Sequence, residues 1–285
     1  MATQQERLLA LARSVSAARA EDPAIEAILL TGSVAQGRAD GVSDVDMMLY
    51  YRELPTPERF EELKEAALAS GGGIYGYDPA EGMACYHFFD GVKVDFGHGT
   101  SAELEERLDG FLEKPDVKDT TTQIVMSGVA TGLPLHGAEK LRGWQERLRH
   151  LPESYWEEVV KGHLRFAPLA VLTQMGTDRR DYALVYELIL RDLGHLLNIW
   201  CGLSRVIPPG KVKGIAGSAA KLSVLPERAG ERAEALFTAQ PAAAVEKLQS
   251  LIHETLALVD RQMPAIETGP VRSFMQTALR VESAA

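Results

Sequence analysis

The stretch from Gly32 to Asp46, GSVAQGRADGVSDVD, constrains this chain more than any other. It lies between two strand-like runs, 24–30 before it and 45–51 after it. Gly32-Ser33 opens a turn at the end of the first run, and Val34 to Arg38 begins a short helix. Asp44 and Asp46 sit two apart on the second strand. Side chains on a strand repeat with period two, so both carboxylates point to one face. Two like charges about 7 Å apart along a strand repel, and keeping both ionised needs a compensating cation. A divalent metal held by oxygen ligands is the economical answer.

The stretch resembles the nucleotidyltransferase superfamily of the DNA polymerase beta type. The pattern of that family is Gly-Ser, a spacer, then Asp-x-Asp; here Gly32-Ser33, ten residues and Asp44-Val45-Asp46 stand in those places. The family also requires a third carboxylate on a later, neighbouring strand, and Asp95 in Val92-Lys93-Val94-Asp95-Phe96 is the candidate. The resemblance implies an α+β fold: a small mixed sheet with helices, residues 1–115, followed by a helical bundle, residues 116–285, that binds the acceptor.

In layout the chain is most similar to the antibiotic nucleotidyltransferases. Gly132-Leu133-Pro134-Leu135-His136-Gly137 resembles the segment joining their two domains. Leu196-Leu197-Asn198 with Pro208-Pro209-Gly210-Lys211 is similar to a stretch of their helical domain. The register there leaves Lys211 and Lys213 as competing candidates for a pyrophosphate contact.

Nucleotidyl transfer moves a nucleoside monophosphate from a triphosphate to a hydroxyl and releases pyrophosphate. Mg²⁺ suits it, because few carboxylates hold the ion and waters and phosphate oxygens fill the remaining positions. Asp44 and Asp46 would hold the ion of the nucleotide, ATP or another triphosphate. Asp95 would hold a second ion, act as general base toward the acceptor hydroxyl, or do both. Gly32 would let the backbone approach the phosphates without a Cβ. Ser33 would offer its hydroxyl and an N–H at a helix start. Arg38 is within reach of the turn, with a surface arginine as the equal alternative. Ser43 shapes the entry to the second strand.

Glu187 and Asp192 lie on one helical pattern and are alternative acceptor-side bases, although Glu187 and Arg191 first suggest an i,i+4 ion pair. His87, His98, His163 and His195 have no metal-ligand spacing. Trp144, Trp156 and Trp200 read as packing residues, and Tyr182 and Tyr186 as weak candidates for an acceptor pocket.

Composition narrows the substrate. The net charge of −10, from 30 basic and 40 acidic residues, argues against a nucleic-acid polymerase, whose substrate needs a Lys/Arg surface. It suits a small, cationic, hydroxylated acceptor. No apolar run reaches the ~18 residues of a membrane span, and the N-terminal segment reads as an amphipathic helix rather than a signal peptide. The two cysteines, Cys85 and Cys201, form no motif, so a cytoplasmic protein without a disulfide is expected.

Helices are expected near 3–20, 57–70, 103–112 and 120–131, and a hairpin at 83–89 and 92–96 turns at Asp90-Gly91. Gly71-Gly72-Gly73 reads as a helix stop and Pro134 to Gly137 as a turn or short extended piece. Helices then follow near 139–150, 153–175, 179–203, 217–224, 227–238 and 241–262, and the tail after Thr268 is helical or frayed. The expected activity is adenylyl-type transfer to a small acceptor such as an aminoglycoside- or lincosamide-like antibiotic. The alternatives are an inactive or regulatory binding protein on the same fold and an enzyme that nucleotidylates a protein.

Overall fold

The structure is a computed structural model and describes residues 2–278. The chain divides into two compact units. The sheet unit comprises the chain up to Pro115 together with Val125–Leu151, and the helical unit comprises Asp116–Ile124 together with the chain from Pro152 onward. The fold is α+β, a six-stranded mixed sheet with a helical C-terminal region.

In the sheet unit, α1 (Gln4–Arg19) is followed by β1 (Ile25–Thr31), a single turn α2 (Gly32–Ala35), β2 (Val45–Tyr51) and α3 (Pro57–Ala69). Next come β3 (Gly73–Asp78), β4 (Gly82–Phe89), β5 (Val92–Thr100) and α4 (Ser101–Glu113). The unit closes with the end of α5 (Thr120–Thr131), β6 (Leu133–His136) and α6 (Ala138–Arg149). The strand order is β3-β4-β5-β2-β1-β6. Only the β2–β5 pair is parallel, as the crossover through the β3–β4 hairpin requires; the other pairs are antiparallel. Thr56 caps α3 with Pro57 at its first position, as the Thr-Pro pair predicts.

One sheet face is the core. Val45, Met47, Leu49 and Tyr51 alternate inward from β2, as do Val94 and Phe96 from β5, and pack with Leu8, Ala12 and Val15 of α1 and Phe60, Leu63 and Ala67 of α3. This alternation settles the site, because every residue between those inward positions must face the other way.

The sequence reading omits β3, taking Gly73 as the end of a helix stop. Gly73 instead begins a strand, where a Cβ would lie 3.1 Å from the Tyr86 ring. The segment from Leu133 to His136 is a true strand on β1. It and α6 therefore belong with the sheet, although they lie beyond residue 115.

The helical unit holds the start of α5, then α7 (Glu153–His163), a π-helical turn (Val171–Thr177) and α8 (Tyr182–Leu203). Three short helices and one long one complete it: α9 (Ile215–Ala219), α10 (Ala229–Glu234), α11 (Pro241–Gln262) and α12 (Gly269–Met275). The helix expected over 153–175 breaks at His163. Pro168 disfavours helix at Ala167, and the freed Ala167 N–H donates to Asp192 at 2.9 Å. The helices expected at 217–224 and 227–238 are shorter, each ending in turns. The tail expectation is met by α12 as far as it can be followed; 279–285 lie outside the described residues. No helix among the described residues is long and apolar enough to cross a membrane.

A buried histidine makes the core sensitive to acid. His98 on β5 is 5 % exposed, and Nδ1 lies 2.9 Å from the Tyr51 hydroxyl. Burial holds its folded pKa down at about 3, against about 6.5 in an unfolded chain. As pH falls below 6.5 the unfolded state takes up the proton first, so stability falls through the window from about 6.5 toward 3. Chemical denaturation at pH 7 and pH 5 should show a loss of up to about 2 kcal/mol that His98→Asn removes from the pH difference. An identical pH difference in the variant would assign the acid sensitivity to other groups.

Candidate functional site

The register of three strands assembles the site. Thr31 at the end of β1 pairs with Asp46, and Asp46 pairs across the parallel ladder with Asp95. Asp44, one residue before β2, shares the outward face with Asp46. One carboxylate oxygen from each of Asp44, Asp46 and Asp95 lies within 4.8 Å of the others, and all three side chains are half-buried.

Gly32 has φ +68° and a Cβ placed there would come within 1.9 Å of Asp46 Oδ2. The glycine is therefore required by the close approach of a triad carboxylate, in addition to any approach by a ligand. Ser33 follows in the single turn of α2, and its carbonyl accepts the Arg38 N–H at 2.9 Å.

Lys93 offsets part of the charge of the triad by bridging two of its carboxylates. Its Nζ donates to Asp95 Oδ2 at 2.7 Å and to Asp44 Oδ2 at 3.3 Å. The Tyr75 hydroxyl donates to the other Asp95 oxygen at 2.9 Å. The Tyr75 and Tyr86 rings each stand 5.4 Å from Nζ. Burial alone would lower the Lys93 pKa, but its hydrogen bonds to Asp95 and Tyr75 and the charge of Asp95 outweigh burial and hold it above the ordinary lysine value. Lys93, Tyr75 and Tyr86 are site residues that the sequence reading did not assign. The signal for Lys93 was its place two residues before Asp95, on the same strand face; Tyr75 was hidden with β3.

The remaining sequence candidates fall elsewhere. Arg38 is exposed and bonds the Gln36 side chain. The Ser43 hydroxyl donates to Asp40 Oδ1 at 2.8 Å and accepts the Asp40 N–H at 2.9 Å, which pins the loop entering β2. Lys211 and Lys213 are exposed loop residues of the helical unit.

In that unit the expected Glu187–Arg191 ion pair is replaced. Arg191 turns to Asp192, with Nη2 3.0 Å from Oδ1, because the fully buried Asp192 carboxylate needs a partner. Burial nevertheless raises the Asp192 pKa, against the Ala167 N–H and Arg191, which lower it. Asp192 thus braces the chain at Ala167. Glu187 is exposed. Trp144 is packed edge-on against Tyr50, centroids 5.1 Å apart, Trp156 and Trp200 are buried, and the Tyr186 hydroxyl donates to the Ala239 carbonyl at 3.3 Å. Tyr182 is exposed.

The triad face continues into a cavity of about 470 Å³ within the sheet unit. Met48, Ala84, Gly97 and Gly99 floor it, one strand step beyond Asp46 and Asp95, and Glu103 and Arg107 of α4 wall it. A Cβ at Gly97 would meet Met48 Sδ at 2.5 Å.

The donor set suits a hard divalent cation: three half-buried carboxylates whose charge one ammonium offsets only in part. Asp44, Asp46 and Asp95 would hold such an ion.

No family model and no curated protein matches the chain. Among solved structures it is similar to a nucleotidyltransferase-like protein from Exiguobacterium sibiricum 255-15. The two are 15% identical, the match covers 88% of this chain and 76% of that one, and the TM-score is 0.35. A likeness this distant says nothing about substrate.

Two variants test the assembly. Lys93→Gln removes the ammonium that bridges Asp44 and Asp95 and should cost about 1 kcal/mol in EDTA. Added Mg²⁺ should then raise its Tm more than that of the parent protein; equal Mg²⁺ responses would mean that Lys93 and the ion do not share ligands. Gly32→Ala forces both a left-handed backbone and a contact with Asp46, and should cost at least about 1–2 kcal/mol by denaturant unfolding. A neutral result would show that the turn relaxes away from Asp46.

Proposed function

We propose that this protein is a metal-dependent nucleotidyltransferase that moves a nucleoside monophosphate from a triphosphate, ATP in the first instance, to a hydroxyl of a small acceptor. The observation that carries the reading is the convergence of Asp44, Asp46 and Asp95 within 4.8 Å beside a glycine turn packed on Asp46. Mg²⁺ bound there would supply charge neutralisation of the triphosphate and polarisation at the reacting phosphorus.

The chain's own residues do the rest. Asp44 and Asp46 orient the nucleotide at the Gly32-Ser33 turn. Asp95, on the strand farther from that turn, takes the acceptor's proton as its oxygen attacks the α-phosphorus. The bond from that phosphorus to the bridging oxygen breaks, and pyrophosphate leaves. Tyr75 holds Asp95 in position through its hydroxyl. The cavity of about 470 Å³ beyond Asp95 has the size of a small-molecule pocket, and we assign the acceptor there, in the sheet unit, rather than to the helical bundle that the resemblance implies. Asp78, Glu81 and Glu103 line it against a single Arg107 that pairs with Glu103, and the acidic excess favours a cationic, hydroxylated acceptor, the chemistry of aminoglycoside- and lincosamide-like antibiotics.

A second reading has a specific observation behind it. Lys93 already bridges Asp44 and Asp95, as it would in a regulatory protein that keeps the fold without catalysis. Mg²⁺ titration separates the two readings, since a silent site would not take up the ion at millimolar concentration.

The main test is Mg²⁺-dependent pyrophosphate release across triphosphates and acceptor classes. Asp46→Asn should abolish it with the fold intact. Asp95→Asn should leave triphosphate binding within roughly tenfold, about 1.4 kcal/mol, and lower single-turnover rates by about two orders of magnitude or more. Parental turnover in both variants would overturn the assignment.

A further inference from the structure

The triad already holds a hydroxyl of the chain itself. Tyr75 donates to Asp95 Oδ1 at 2.9 Å, within the distance a general base needs from the group it deprotonates. Asp95 Oδ2 is occupied by Lys93. Among the described residues, Tyr75 is the one hydroxyl bonded to the Asp95 carboxylate. It stands where the proposed reaction requires the acceptor hydroxyl.

The backbone is built to put it there. Tyr75 belongs to β3, the edge of the sheet, and Asp95 lies two strands away on β5. Ile74 pairs with Cys85 and Gly76 with Ala84, so the ladder shifts register and Tyr75 is the extra residue of a bulge. A bulge bends the strand and re-aims a side chain. Without a cross-strand partner of its own, Tyr75 leans over Tyr86, ring centroids 5.1 Å apart, and Tyr86 is the residue paired with Asp95.

Neighbouring hydroxyls are directed elsewhere. The Tyr86 hydroxyl lies over Gly73, where a Cβ would meet it at 3.1 Å. Thr31 donates to the Asp46 carbonyl at 3.5 Å, and Ser43 donates to Asp40 at 2.8 Å.

Tyr75 also has the room that a nucleophile needs. It is 59 % exposed, and a Cβ built on the adjacent Gly76 would meet nothing within 4 Å. A nucleoside monophosphate joined to its oxygen extends into solvent and leaves the core undisturbed. The Lys93 ammonium, 5.4 Å from the Tyr75 ring, faces the anionic diester. Gly76 itself lines the cavity assigned to the acceptor, so Tyr75 stands at the edge of that cavity.

We propose that, with no acceptor bound, the protein nucleotidylates its own Tyr75; the inference rests on the nucleotidyltransferase reading above. The Tyr75 O–H bond breaks and its proton passes to Asp95, the base beside the nucleophile. The phenolic oxygen forms a bond to the α-phosphorus of the triphosphate. The bond from that phosphorus to the bridging oxygen breaks, and pyrophosphate leaves with the electron pair. The product is a tyrosyl phosphodiester. It has no O–H left to give Asp95, and its nucleotide stands in the approach of the acceptor, so the modified chain is closed to further transfer.

Mass spectrometry of the full-length protein tests this. The chain is incubated with Mg²⁺ and ATP, GTP, CTP or UTP, without acceptor, then freed of metal with EDTA and denatured. With at least one triphosphate it should exceed its sequence mass by a single nucleoside monophosphate, and peptide fragmentation should place the group on Tyr75. Asp95→Asn should slow the modification by about two orders of magnitude or more, and Tyr75→Phe should carry no adduct, with circular dichroism unchanged. The hydrogen bond lies within one chain, so Asp46→Asn mixed with isotope-labelled parent should stay unmodified while the parent gains the group. An adduct on another residue, an adduct on Asp46→Asn in the mixture, or a parental rate in Asp95→Asn overturns the proposal. An unmodified parent chain overturns it too. If that chain still releases pyrophosphate with an acceptor, self-modification alone fails; if it releases none with any acceptor class, the nucleotidyltransferase reading fails with it.

Discussion

Three carboxylates held within 4.8 Å of one another repel strongly, and the sheet unit is built so that they converge regardless. The inward alternation on β2 and β5 leaves Asp44, Asp46 and Asp95 nowhere else to point. Reversing any of them would bury a charge among Met47, Leu49 and Phe96, at a cost well beyond the repulsion. The core therefore stabilises the convergence, and Lys93 offsets its electrostatic cost from the same face.

What could be read from the sequence follows the range of each interaction. The Gly-Ser turn and the Asp-x-Asp strand are local, and the period of two places both carboxylates with no knowledge of the fold. Asp95 needed one further step, the hairpin turn at Asp90-Gly91, which sets the register of β5. The pairing of Lys93 with Asp44 spans 49 positions and depends on β5 lying parallel to β2 across a hairpin excursion. No local pattern carries that. The β3 strand was concealed for another reason: Gly73 and Gly76 punctuate it, and glycine reads as a breaker until Tyr86 is seen packed against it.

In the helical unit the misplaced boundaries have tertiary causes. The pattern over 153–175 is amphipathic on both sides of Pro168, and propensity alone would carry a helix to the proline. The chain leaves the helix at His163, four residues early, and the buried carboxylate of Asp192 accepts the Ala167 N–H that the break frees. The same carboxylate draws Arg191 away from Glu187, so an i,i+4 pair that looks favourable on a helix surface gives way to one that relieves a buried charge. Surface pairs of this kind contribute little, about 0.3–0.5 kcal/mol, whereas an unpartnered buried carboxylate costs several times more.

The choice of lysine at position 93 bears on what the triad can do. Arginine would reach the same carboxylates with a rigid fork, bind one of them in a bidentate manner and be withdrawn only with difficulty. Lysine presents a compact charge on a flexible stem. Its Nζ lies 5.4 Å from both the Tyr75 and Tyr86 rings, which attract a cation through their faces. The ammonium is therefore held by two carboxylates and two ring faces at once. A divalent ion brings twice the charge to the same oxygens and offers them direct coordination. The geometry thus combines an ammonium that bridges two of the three carboxylates with two aromatic rings that face the same charge.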